Sequence, residues 1–166
     1  FLTVFKNKPN QKLLYFDGFA GSGDIEVENT NDDDSHIIEG AAIRILKIEK
    51  PRTFNMYYFV EKKKSLATSL EKKIRTQFPH KQAYVQAKDC NEKLVALAKF
   101  LRSDKGKKFK VLGFIDPKGM QLEWSSLEVL RGLAIDLWIL NPTSGTNRVF
   151  VRKGEMGESW LKRLEL

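Results

Sequence analysis

Short apolar runs and segments of helical period take turns along this chain, and that alternation restricts the fold more than any other feature. The runs LLYFD (13–17), MYYFVE (56–61), QAYVQA (82–87), FKVLGFID (109–116) and IDLWIL (135–140) are rich in aromatic and branched residues. They read as strands buried on both faces. Between them Leu66, Leu70, Ile74 and Phe78 recur every four residues behind a candidate N-cap at Ser65, and Pro79 stops the run. Leu94, Leu97, Ala98 and Leu101 make a second helical stripe. SSLE (125–128) has the form of a capping box opening a short helix that Gly132 can close, and residues 41–48 form a weaker first helix. This alternation implies right-handed crossovers and a mostly parallel sheet with helices on both faces. At 166 residues and 42% hydrophobic content, the chain is expected to build one domain over 1–166.

In such sheets ligands bind outside the carboxyl ends of the strands, near the point where strand order reverses. That edge is marked here by acids. Asp17, Glu61 and Asp116 each end a predicted strand, Asp89 lies two residues beyond another, and Asn141 follows the last. Acids also cap helices, so chance clustering is the competing reading. The stretch YFDGFAGSGD (15–24) places Gly18, Gly21 and Gly23 directly after the first strand. A turn so poor in Cβ atoms lets a ligand approach main-chain N–H groups closely. Glu61 is then placed to accept hydrogen bonds from ribose hydroxyls, as an acid does in dinucleotide folds. No Gly-Lys-Ser/Thr follows the glycines, and Asp24 comes next, so a phosphate-binding loop is disfavoured. Acids beside the loop repel a pyrophosphate but tolerate a cofactor with a cationic centre and no phosphate.

Net charge is +8, unevenly spread. Residues 24–39 hold seven acids and no Lys or Arg, leaving 29 basic against 14 acidic residues elsewhere. Segment 24–38 reads as an irregular surface loop inserted in the domain, or as a lid or self-masking segment over the basic surface. EKKK (61–64), EKKIR (71–75) and KGKKFK (105–110) are either a surface for a polyanion such as nucleic acid or solvated helix faces and loop tips. Lone Cys90 excludes an internal disulfide framework and fits a reducing compartment, though pairing with another chain stays open. No apolar stretch approaches the roughly 20 residues of a membrane helix, and FLTVFKNKPNQ lacks the long apolar core of a signal peptide. The expectation is a cytoplasmic chain without a membrane partner. It starts without methionine just before a predicted strand, as a fragment or processed form would.

YFDGFAGSG resembles the first motif of class I S-adenosylmethionine-dependent methyltransferases, in the Phe-Ala-Gly-x-Gly form frequent among enzymes acting on nucleic acids. The succession YYFVEKKKSLATSL, AKDCNEKL, FIDPKGMQLEW, DLWILNPTSGTNR and GESWLKRL is similar, in order and spacing, to the three-Cys-motif partner proteins of bacteria and their mobile elements. That family's Asp-Pro-Phe-Gly and Gly-x-Asn-Arg motifs match DPKG (116–119) and GTNR (145–148). The resemblance spans nearly everything from Leu13 onward. It implies a Rossmann-like class I methyltransferase fold, S-adenosylmethionine as cofactor, and a longer parent chain. It also implies methyl transfer to nucleic acid or, alternatively, a non-catalytic partnership with a three-Cys-motif protein in mobile-element defence or recombination. By the same resemblance Asp17, Gly18, Phe19, Ala20, Gly21 and Gly23 surround the methionine part of the cofactor. Glu61 holds the ribose, and Asp89 with Cys90 flanks the adenine. Asp116, Pro117 and Lys118 stand where amino-group methyltransferases bring the target nitrogen to the methyl.

Those enzymes typically carry Asn/Asp-Pro-Pro-Tyr, whose ring stacks on a flipped base. Lys118 and Gly119 remove the ring and add a cation, which argues against adenine or cytosine N-methylation; Phe114 and Trp124 are the candidate substitutes. Cytosine C5 chemistry needs a nucleophilic cysteine, usually in a Pro-Cys pair, whereas Cys90 follows Asp89. His36 and His80 lack ligand-like companions, and DDDSH lacks EF-hand spacing, so no metal site is expected. Trp124, Trp138 and Trp160 read as core or interface aromatics, with Trp138 placed in the core by its strand.

Overall fold

The computed structural model describes residues 1–27, 36–119 and 121–140. Five strands, β1 (Lys12–Asp17), β4 (Met56–Val60), β5 (Ala83–Gln86), β6 (Phe109–Ile115) and β7 (Ile135–Ile139), form one sheet in the order β5-β4-β1-β6-β7. Every pairing in it is parallel. The order reverses at β1, so the mixed α/β, Rossmann-like arrangement carries its switch point between β1 and β6.

Alternation along the strands builds a core on each face. Leu13 and Tyr15 of β1 pack with Tyr57, Phe59 and Leu112 on one side, under α1 (Ala41–Leu46) and α2 (Lys64–Gln77). Leu14 and Phe16 pack with Val60, Val111 and Ile115 on the other, under α3 (Cys90–Arg102) and α4 (Trp124–Glu128). In α2 the buried residues are Ala67, Leu70 and Ile74, spaced three and four apart as one helical face requires. No helix among the described residues is long and apolar enough to cross a membrane.

Several local expectations need correction. The irregular loop expected over 24–38 contains a β-hairpin: β2 (Asp24–Val27) pairs antiparallel with β3 (His36–Glu39), Ile25 opposite Ile38. The acids between and beside those isoleucines hide the alternation. Ser65 is not the cap of α2. Glu61 Oε1 accepts from the Lys63 amide at 2.7 Å, so the helix starts earlier, behind Lys63. SSLE does not cap α4 either. Asn91 Oδ1 accepts from the Glu123 amide at 3.0 Å and fixes the entry two residues upstream, behind Glu123. Trp138 is 62% exposed, not core. Among the described strands β7 lies at the sheet edge, and Asp136 and Trp138 turn outward while Leu137 packs over Gly113. Trp124 is likewise exposed, at 57%. Asn141, GTNR, Trp160 and most of the acidic run lie outside the described residues.

Candidate functional site

The carboxyl ends of β1, β4 and β6 open into a cleft of about 1410 Å³, continued by the first residues of α3 and by the segment running into α4. Of the residues nominated from sequence, Gly18, Phe19, Gly21, Glu61, Asp89, Cys90, Asp116 and Lys118 line it. Asp17 lies just beneath, 1% exposed. Ala20 and Gly23 do not line the cleft. Ala20 donates its amide to the Val60 carbonyl at 2.9 Å and leans on the core, while Gly23 faces Leu70 and Ile43, where a Cβ would stand within 3.1 Å of both. Pro117 is buried between the exposed Asp116 and Lys118.

The turn after β1 is held by specific bonds. Gly18 donates to the Phe114 carbonyl at 3.0 Å, and Phe19 donates to Asp17 Oδ1 at 3.0 Å. Gly21 sits at φ +63°, a left-handed conformation that disfavours a side chain, and donates its amide to Glu61 Oε2 at 3.0 Å. Glu61 therefore ties the glycine turn of β1 to the start of α2 through its two oxygens. Each oxygen still has lone-pair capacity for a ligand hydroxyl. Gly18 is bare for another reason: a Cβ there would lie 2.5 Å from Cys90 Sγ and 2.9 Å from Ile115 Cδ1. Gly18→Ala should cost about 2 kcal/mol, and much of that should disappear when Cys90→Ala vacates the space. Strictly additive losses in urea unfolding of the two single variants and the double variant would show that the groups do not compete.

Electrostatics divide the cleft. Burial pushes the Asp17 carboxyl up to about 7; the negative charges of Asp116 and Glu61 reinforce this, and hydrogen bonds from the Phe19 amide and the Tyr15 hydroxyl oppose it. Burial and the neighbouring Asp17 also raise the Tyr15 hydroxyl. Burial, with Asp89 and Asp17, pushes the Cys90 thiol up to about 12, so at neutral pH it is a protonated packing group and not a nucleophile. Asp89 caps α3 by accepting from the Asn91 amide at 2.9 Å. Burial pushes its carboxyl up, but the hydrogen bonds from Lys62 and Asn91 outweigh that and hold it below the ordinary range. Among the described residues no three His, Cys, Asp or Glu side chains are grouped so as to hold a metal ion.

Sequence reading missed Asn91. Its Nδ2 donates to the Gln121 carbonyl at 2.9 Å while its Oδ1 takes the Glu123 amide, clamping the far wall of the cleft to α3. The available signal was an asparagine in the first turn of a helix, where it is a mediocre former with strong local hydrogen-bonding capacity. Lys62, Lys63, Trp124 and Arg131 also line the cleft.

No family model matches the chain, and no curated protein matches it significantly. Among solved structures it is similar to the crystal structure of a Legionella pneumophila protein whose family model is DUF519. The TM-score is 0.57 at 15% identity, over 89% of this chain and 67% of that one. The similarity supports the Rossmann-like fold.

Proposed function

We propose that this protein binds S-adenosylmethionine in the cleft and belongs to the methyltransferase type, with nucleic acid as the acceptor. The observation that carries the reading is the Gly21 amide held by Glu61 beside the switch point of a parallel sheet. That arrangement presents, on one rim, a glycine turn bare of side chains and a carboxylate whose oxygens keep lone-pair capacity, which is what a nucleoside with ribose hydroxyls takes up. The donor set fits this cofactor. The acids Asp17, Glu61 and Asp116 oppose a pyrophosphate and favour a ligand with cationic groups.

When bound, S-adenosylmethionine supplies an activated methyl group. Glu61 would hold the ribose, Asp89 and Cys90 would flank the adenine, and Gly18, Phe19 and Gly21 would surround the methionine part. Asp17 would respond to a cationic ligand by giving up its proton, so affinity should strengthen as pH rises through 7. Calorimetric titration tests the site. Glu61→Ala should weaken cofactor binding at least tenfold through lost hydrogen bonds of about 1.5–3 kcal/mol. Unchanged affinity in a folded variant, or no binding by the wild type, would remove the pocket.

A second reading is a non-catalytic partner that keeps the cofactor fold and acts with a three-Cys-motif protein. It is favoured by Lys118 where an aromatic ring would stack an acceptor base, and by the packing of Phe114 against the core, which leaves that ring unavailable. Labelled-methyl transfer to DNA, RNA and a three-Cys-motif protein separates the two: cofactor binding without transfer to any of them selects the partner role.

A further inference from the structure

Three segments remote in sequence meet at the amino ends of the strands, opposite the cleft. The register of β1 on β6 puts Lys12 beside Phe109 and Leu13 beside Lys110. Gln11 Nε2 donates to the Lys108 carbonyl at 2.8 Å. The Arg52 guanidinium donates to the carbonyls of Phe5 at 3.2 Å, Lys8 at 2.8 Å and Gln11 at 3.1 Å. Residues 1–12, 50–55 and 103–110 therefore form one edge. They contribute three, two and four cationic residues respectively and one acid, Asp104, which pairs with Lys107 at 3.3 Å. Lys6, Lys8, Lys12, Lys50, Lys105 and Lys108 are exposed there.

Like charges so concentrated repel one another, and a bound polyanion relieves that repulsion. The cleft grips a polyanion less well, because its floor is acidic and Lys62, Lys63, Lys118 and Arg131 on its walls are matched by Asp89, Glu123 and Glu128. Strands of six and seven residues separate the two ends by about 20 Å, more than two Debye lengths at physiological salt, so the acids do little to offset the patch. The other basic runs are less concentrated. In EKKIR, Arg75 pairs with Glu71 and Lys73 with Asp24, while in EKKK, Lys62 pairs with Asp89.

We propose that the amino-terminal edge of the sheet is a phosphate-gripping surface for nucleic acid, separate from the cleft. An anionic membrane is the weaker fit. Phe1, Leu2 and Phe5 pack against the core, leaving Val4 as the large apolar group exposed on the first segment, too little for insertion. The proposal shares the nucleic-acid partner with the proposed function but does not need the cofactor. Failure of the cofactor titration alone would sink that reading and leave this one standing.

The test is fluorescence anisotropy with labelled random-sequence 20-nucleotide single-stranded DNA, single-stranded RNA and duplex DNA from 50 to 300 mM NaCl. Lys12→Gln/Lys105→Gln/Lys108→Gln should weaken binding at least tenfold at 100 mM NaCl and flatten the salt slope by about two to three. A charge-matched control on α2, Lys64→Gln/Lys72→Gln/Arg75→Gln, should lose less than threefold. Equal losses in the two triple variants, an unchanged first variant, or binding to phosphatidylserine vesicles without binding to any oligonucleotide would overturn the assignment.

Discussion

Asp17→Asn should raise stability at pH 8 by about 4 kcal/mol and change it little at pH 4, because the wild-type carboxyl is held up to about 7 by burial. The sign follows from proton binding. Below pH 4 the carboxyl is protonated in both folded and unfolded chains and favours neither. Between pH 4 and 7 the unfolded chain releases the proton while the folded chain keeps it, so wild-type stability from this group falls by about 1.4 kcal/mol per pH unit. Above pH 7 the folded protein carries a buried anion beside Asp116 and Glu61, and the whole contribution is lost. Asparagine keeps an oxygen for the Phe19 amide without the titration. Urea unfolding at pH 4.5, 6 and 8 should therefore show the wild type weakening relative to the variant. Parallel stability profiles for the two proteins would refute a buried, proton-retaining Asp17.

Gly106→Ala should cost about 3 kcal/mol and lower the melting temperature by roughly 10 °C. A Cβ at this position would lie 1.9 Å from the carbonyl oxygen of Phe100 and 2.5 Å from its carbon. Those atoms belong to the last turn of α3, which is pinned by buried Leu97, Ala98 and Leu101, so the backbone cannot yield without disturbing that core face. Lys105→Ala, an exposed neighbour, should be nearly neutral. A Gly106→Ala melt coinciding with wild type would show that the turn relaxes freely.

The five sheet strands were legible because each is a local run of apolar residues, and the acids at their ends were legible because strand termini are local too. What escaped depended on partners distant in sequence. Nothing near Ser125 reports that Asn91, 32 residues upstream of Glu123, captures the amide that sets where α4 begins; the α2 start is a local exception, since Glu61 takes the Lys63 amide only two residues on. Trp138 looked like core because strand order, which puts β7 at the edge of the described sheet, is not written in the strand itself. Gly23 looked like ligand-facing backbone, yet its missing side chain makes room for Leu70 and Ile43. The basic edge emerged only from the β1–β6 register, which joins lysines nearly a hundred positions apart.

The central place of β1 has a consequence for biosynthesis. Its two neighbours are made long after it: β4 ends at residue 60 and β6 at residue 115. A ribosome adding about 5–20 residues per second leaves Leu14 and Phe16 without their β6 partners for roughly 5–20 s. Throughout that interval the nascent chain presents a greasy, half-paired strand, so chaperones that shelter such strands should engage it before its sixth strand emerges.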